Sequence, residues 1–217
     1  MTVRDAQVVV LAKSPVPGRV KTRLTPPYSP AQAADLALAA LVDTLRAAGG
    51  AAVRRCLLVL DGEPGDWLPD GVEVRPQRGD LLDERITCAL ADAYAGLPVP
   101  VLLVGMDTPQ VTSEDLERAV DHLLRDGTDA VLGHAEDGGY WAIGVRHPRP
   151  EHVLGVPMSR DDTGSRQLEQ LQSLGLRVRL LDTRRDVDDA ADADAVSRRA
   201  PHGAFAATLA RLTEGTA

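Results

Sequence analysis

Apolar residues in this chain fall into short unbroken runs separated by longer stretches at helical spacing. Gln7–Ala12 (QVVVLA), Cys56–Leu60 (CLLVL) and Val101–Val104 (VLLV) are too short for helices. Unbroken aliphatic runs of this length suit strands covered on both faces, as in a parallel sheet with helices above and below. The runs Val8–Leu11, Leu57–Leu60 and Val101–Val104 should therefore be parallel neighbours in one sheet. Val72–Arg75 alternates and predicts a shorter strand, and Ala130–Leu132, Tyr140–Val145 and Arg177–Leu181 predict three more. Between them lie amphipathic helices with recognisable starts. Ser29 can cap, Pro30 suits the first helical position, and Leu38, Leu41, Val42 and Leu45 recur inward before Gly49 and Gly50 end the helix. Asp80 is a plausible cap for a helix to about Tyr94 carrying Leu82, Ile86, Ala89, Leu90 and Ala93. Thr112 with Asp115 predicts a capping box ahead of Leu116, Val120, Leu123 and Leu124, closed by Gly127. Gln167–Leu174 predicts a short helix, and Phe205, Leu209 and Leu212 a closing one. Strand and helix alternate, which is the α/β pattern.

Two junctions carry candidate chemistry. After Val104, Gly105 lets the chain turn, Asp107 follows, and Pro109 blocks continuation of the ladder, so a carboxylate is held just past the end of a buried strand. Open α/β sheets bind ligands there, although an Asp in that place equally closes a turn. The segment after the first strand, KSPVPGRVKTRLTPPYSP, is a loop rich in Pro with four cations, Lys13, Arg19, Lys21 and Arg23. Like charges gathered on one loop oppose folding unless an anion or carboxylate offsets them, so phosphate is the expected partner. The spacing is not that of a Walker A loop. A third stretch, HAEDGGYWAIGV, contains Asp137, Gly138 and Gly139. Asp-Gly reads as a hairpin turn, while paired glycines also let backbone lie against a sugar or phosphate beside a carboxylate and an aromatic face. The run DVDDAADADA, with Asp186, Asp188, Asp189, Asp192 and Asp194, reads chiefly as a solvated helix start.

Composition narrows the class. At 217 residues and 44% hydrophobic, the chain can bury a substantial core as one domain. Its 32 acidic and 24 basic residues give a net charge of -8, which argues against nucleic acid or an anionic membrane surface as partner. Cys56 and Cys88 lack CxxC spacing and predict buried reduced thiols. A strand begins by Val8 with no charged-then-apolar leader, and no apolar run approaches 18 residues, so a cytoplasmic protein is expected.

LAKSPVPGRVKTRL, VGMDTP, LGHAEDGGYWAIGV and RDVDDAADADAV, in this order, resemble the bacterial DUF2064 family of proteins related to GT-A glycosyltransferases. The resemblance implies the nucleotide-diphospho-sugar transferase fold, a three-layer α/β/α sandwich with a mostly parallel sheet, over residues 1–217 as a single domain. It implies Mg²⁺ or Mn²⁺ held on nucleotide phosphates by Asp107 and Asp188. The candidate nucleotide-binding set is Ala12, Lys13, Pro17, Gly18, Arg19, Lys21, Thr22, Arg23, Gly79 and Asp107. Asp137, Gly138, Gly139, Tyr140 and Ser159 are assigned to the acceptor or sugar, with Asp137 as general base. The chain departs from the family in having Met158 before Ser159, where Trp is usual, and Asp189 where Thr is usual.

The expected activity is transfer from a nucleotide sugar to a small-molecule acceptor. The runner-up joins a nucleoside triphosphate to a phosphorylated or phosphonylated small molecule, because KTRL also resembles the loop of phospholactate guanylyltransferases. A non-catalytic nucleotide-binding protein is the third reading, and homo-oligomerisation stays open. Asp107 and Asp188 facing each other without a cation would repel, so neutralising Asp107 is expected to leave stability unchanged or slightly raised.

Overall fold

The computed structural model describes residues 2–214. Seven strands, β1 (Arg4–Lys13), β2 (Val53–Asp61), β3 (Glu73–Pro76), β4 (Val101–Gly105), β5 (Ala130–Ala135), β6 (Tyr140–Val145) and β7 (Val178–Arg184), form one sheet in the order β3-β2-β1-β4-β6-β5-β7. The helices are α1 (Pro30–Gly50), α2 (Leu82–Gly96), α3 (Ser113–Leu124), α4 (Thr163–Ser173), α5 (Ala190–Arg199) and α6 (Ala204–Glu214). β1 pairs in parallel with β2 on one side and β4 on the other, Val8 facing Cys56 and Leu102. β6 runs antiparallel to both of its neighbours, and the other pairs are parallel.

The continuous aliphatic runs are explained by two cores, one on each face of the sheet. Val8 and Val10 pack toward α1 and α3 with Leu41, Leu45 and Leu116. Val9 points the other way, toward α2, with Leu57, Ile86 and Leu90. Period-two alternation thus delivers successive side chains to opposite cores, and both faces must be apolar. The result is a three-layer α/β/α sandwich.

α1 is buried on more than its sheet-facing side. Leu36, Ala39 and Ala40 join a third core with Val196 of α5 and Phe205 and Leu209 of α6. The buried Asp43 carboxylate accepts the N–H groups of Ala204 and Phe205 at 2.8 Å each, supplying the cap at the start of α6.

Local signals placed most helix ends. Ser29 with Gln32, and Thr112 with Asp115, form the expected capping boxes. Asp80 is not the cap of α2: that position is Leu81, and Glu84 reaches back to accept the N–H groups of Asp80 and Leu81. α4 starts at Thr163, four residues before the predicted Gln167, because its first turn packs against the hairpin rather than showing an apolar period. Cys56 and Cys88 are free and partly buried, and burial pushes the Cys56 thiol up to about 11. No helix among the described residues is long and apolar enough to cross a membrane.

Candidate functional site

From β1 the sheet runs outward through β2 and β3 to one edge and from β4 through β6, β5 and β7 to the other, and a cleft opens at the carboxyl ends of β1 and β4 where the order switches. One part, of about 590 Å³, is lined by Ala12, Lys13, Arg19, Lys21, Thr22, Arg23, Asp107 and Ser159. A second part, of about 450 Å³, shares Arg23, Asp107, Tyr140, Ser159 and Asp188 with it and adds Asp137, Gly139 and Asp186. The loop after β1 and the carboxylate after β4 therefore meet.

The cationic loop is fixed by apolar anchors on either side of its charges. Val20 is 8% exposed in one core and Leu24 is fully buried in another, with Lys21, Thr22 and Arg23 between them. Lys21 adopts the left-handed conformation, φ +48, at the start of a short 3-10 turn over Thr22–Leu24. A non-glycine residue held there is uncommon and is over-determined by its surroundings. Its ammonium lies 2.6 Å from an Asp107 oxygen, with the Lys21 side chain 9% exposed and Asp107 48% exposed. The same ammonium donates to the Val187 carbonyl. Arg23 pairs with Asp188 at 2.6 Å. The Val187 N–H donates to the Asp107 carbonyl at 2.8 Å, which ties the segment after β7 to the end of β4.

The expected repulsion between Asp107 and Asp188 is corrected by these contacts: each carboxylate already has a cation. Like charge gathers elsewhere. Asp137, Asp186 and Asp188 each bring an oxygen within 4.8 Å of the other two. Burial, then the charges of Asp137 and Asp188, push the Asp186 carboxyl up to about 6, with Lys21 opposing. Carboxylate oxygens alone suit a hard cation such as Mg²⁺ or Mn²⁺. Asp107 lies outside this group of three. Asp186 lies outside the site residues expected from sequence, because its acidic run reads there as a helix start. The helix begins only at Ala190, with Asp189 as its cap and Asp192 completing the box. Residues 185–188 precede the helix, and Asp186 and Asp188, two apart, converge on Asp137. That spacing was the available signal.

Asp137 is both a turn residue and a cleft residue. Its carboxylate accepts the Gly139 N–H at 2.8 Å within the β5–β6 hairpin while the residue lines the second part of the cleft. Gly138 does not lie open to a ligand. A Cβ there would sit 1.8 Å from the Asp161 carbonyl oxygen, and φ is +91, so this glycine serves the packing of the hairpin on the segment before α4. Pro17, Gly18 and Gly79 also fall outside the cleft lining, and Gly79 packs instead on Glu84. Arg85, which sequence reasoning passed over, lines the first part and pairs with Asp61 at 2.8 Å.

The sequence pattern of a family described as uncharacterized protein conserved in bacteria (DUF2064) matches residues 33–160. The chain belongs to the DUF2064 family. No curated protein matches this DUF2064 chain. Among solved structures, it is similar to a protein of Desulfovibrio desulfuricans G20 provisionally described as a nucleotide-diphospho-sugar transferase. The two are 26% identical with a TM-score of 0.87, over 97% of this chain and 95% of that one. CMP:2-keto-3-deoxy-manno-octonic acid synthetase complexed with CTP shares the fold at 13% identity and TM-score 0.56, over 90% of this chain and 97% of that one. Rv0371C of Mycobacterium tuberculosis H37Rv, in complex with manganese, does so at 20% identity and TM-score 0.51, over 88% and 97%. The α/β/α architecture of this DUF2064 member is thus that of nucleotide-handling transferases.

Proposed function

We propose that the chain, as one GT-A-like domain, is a metal-dependent glycosyltransferase. It would take a nucleotide-diphospho-sugar donor and move the sugar to a hydroxyl of a small-molecule acceptor. The observation that carries this reading is the division of one cleft, with the cations of the β1 loop at one end and the carboxylates Asp137, Asp186 and Asp188 at the other. Lys13, Arg19, Lys21, Thr22 and Arg23 would bind the nucleotide phosphates through charge-assisted hydrogen bonds. Asp186 and Asp188 would hold Mg²⁺ or Mn²⁺, with Asp107 joining once phosphate draws the Lys21 ammonium away. The manganese complex of the mycobacterial neighbour is consistent with that choice of ion. Bound there, the ion would offset the charge that develops on the leaving nucleoside diphosphate. Asp137, exposed on its hairpin, would accept the acceptor's proton. Gly139, Tyr140 and Ser159 would line the acceptor side.

Nucleotidyl transfer from a nucleoside triphosphate is the second reading. It is favoured by Arg85, which brings the cations lining the first part to five, more than a diphosphate needs. Non-catalytic binding is disfavoured because Asp107 and Asp188 line the same cleft. The deciding measurement is thermal stabilisation by panels of nucleotide sugars and nucleoside triphosphates, each with and without Mg²⁺ or Mn²⁺. Metal-dependent stabilisation by a nucleotide sugar above all triphosphates is expected. The reverse order would establish the second reading. Asp137→Asn should abolish turnover and keep metal-dependent donor binding; loss of both would make Asp137 a ligand instead of a base.

A further inference from the structure

The end of the cleft away from the cationic loop offers little to an anion. Its lining acids are Asp107, Asp137, Asp161, Asp186 and Asp188, against Arg23 and Arg160, and Arg23 is already paired with Asp188. The first turn of α4 faces this region, and a helix start would ordinarily attract phosphate. Here it is preceded by Asp161 and by Asp162, which occupies the cap position without a side-chain cap bond; one Asp162 oxygen accepts from Arg166 and the other is buried without a hydrogen-bond partner. A phosphate on the acceptor would meet several carboxylates at short range, even with a divalent ion offsetting two charges.

The wall beside these acids is apolar. Leu82, Ile86 and Tyr140 span the boundary between the two parts and Met158 lies in the second alone, and Leu82 is 43% exposed. Leu81, next to it, is 63% exposed. Leu154 is also exposed, and its neighbour Gly155 donates its N–H to Asp83 at 2.9 Å in the first turn of α2. The Tyr140 hydroxyl lies 3.9 Å from the Met158 sulfur, and burial raises its pKa, so it remains a neutral phenol. Ser159, held at φ +58, adds a hydroxyl to the same wall. An apolar side chain left exposed in the lining of a polar cleft, as Leu82 is, gains from a ligand that covers it.

Resting on the transferase reading above, we infer that the acceptor is an uncharged hydroxyl compound with an apolar body. Its hydroxyl meets Asp137 and its apolar part lies on Leu82, Tyr140 and Met158. In the transfer, the acceptor oxygen bonds to the sugar's anomeric carbon as the bond from that carbon to the phosphate oxygen breaks. The electron pair leaves with the nucleoside diphosphate, and the acceptor proton passes to the carboxylate.

The test uses the nucleotide sugar that best stabilises the full chain, with Mn²⁺, and follows release of nucleoside diphosphate. Three matched acceptor sets are compared: free monosaccharides and polyols, their octyl or phenyl derivatives, and their phosphate monoesters. The apolar derivatives should accelerate release above the water rate with kcat/KM about tenfold or more above the free compounds, and the phosphates should not accelerate it. Leu82→Ser should raise KM for the apolar set about tenfold and move KM for the free set much less. Phosphates that equal or surpass the apolar set, no discrimination among the sets, or no acceleration by any of them would overturn the inference while donor binding still upholds the transferase reading. If no nucleotide sugar stabilises the protein, the transferase reading fails and this inference falls with it.

Discussion

Replacing Asp107 with Asn should destabilise the unliganded protein, contrary to what carboxylate repulsion alone would give. The Lys21 ammonium is 2.6 Å from Asp107, and its side chain is 9% exposed, so Asp107→Asn leaves a largely buried cation with the Val187 carbonyl as its remaining acceptor. Exposed ion pairs contribute about 0–1 kcal/mol, whereas breaking a buried pair costs roughly 3–5 kcal/mol. Asp107 is 48% exposed, which places this pair between the limits. A loss of about 2 kcal/mol follows, and for a domain of this size that corresponds to a melting temperature lower by roughly 4–8 °C. Lys21→Met removes the stranded charge, so the double variant should be more stable than Asp107→Asn alone, giving a coupling of about 1–2 kcal/mol in a double-mutant cycle. The assay is urea unfolding of the four proteins in metal-free buffer, followed by nucleotide titration with and without Mg²⁺. An Asp107→Asn protein as stable as its parent would refute the ion-pair argument. Unchanged metal dependence of nucleotide binding would remove Asp107 from the site.

Arg23→Ala should separate function from stability, since its pair with Asp188 is 75% exposed on the arginine side and contributes less than about 1 kcal/mol, yet nucleotide affinity should fall severalfold; an unchanged affinity would return the loop to plain surface. The Asp186 carboxyl, pushed up to about 6 from 3.8, keeps its proton in the folded state over a range where the unfolded chain has lost it. Its contribution to metal-free stability therefore declines as pH rises from about 4 to about 6, and Asp186→Asn should flatten that part of the stability profile. Because a divalent ion competes with the same proton, apparent Mn²⁺ affinity should weaken as pH is lowered below about 6, and a pH-independent affinity would exclude Asp186 as a ligand. Gly138→Ala should cost more than about 3 kcal/mol, since its Cβ would fall 1.8 Å from the Asp161 carbonyl oxygen at φ +91; a near-neutral result by chemical unfolding would show that the hairpin is free to move away.

The strands and most helix starts were legible in the sequence because they rest on interactions within a few residues. Runs such as Val8–Val10 declare burial on both faces, and Ser29 with Gln32 closes its own capping box. The cationic loop after β1 and the Asp107 turn after β4 stood out as candidates for the same reason, as charged residues following identifiable strands. What the residues do to one another there was settled only by tertiary structure. The parallel neighbourhood of β1 with β2 and β4 follows from their unbroken aliphatic runs, but that the Lys21 ammonium reaches Asp107 depends on how the two loops beyond those strands fold over the sheet edge. Asp186 looked like one acid among several at a helix start. It became part of a cluster because the segment after β7 is tied to β4 through Val187 and because the antiparallel β6 brings the Asp137 turn to the same edge. α1 showed one apolar stripe in sequence but is covered on two sides, since its alanines let α6 pack close, with α5 behind it in the same core, which a periodicity built from the large residues could not reveal. Local free energies fixed the elements; the pairing of Lys21 with Asp107 and of Arg23 with Asp188, far apart along the chain, depended on where the loops beyond the strands come together.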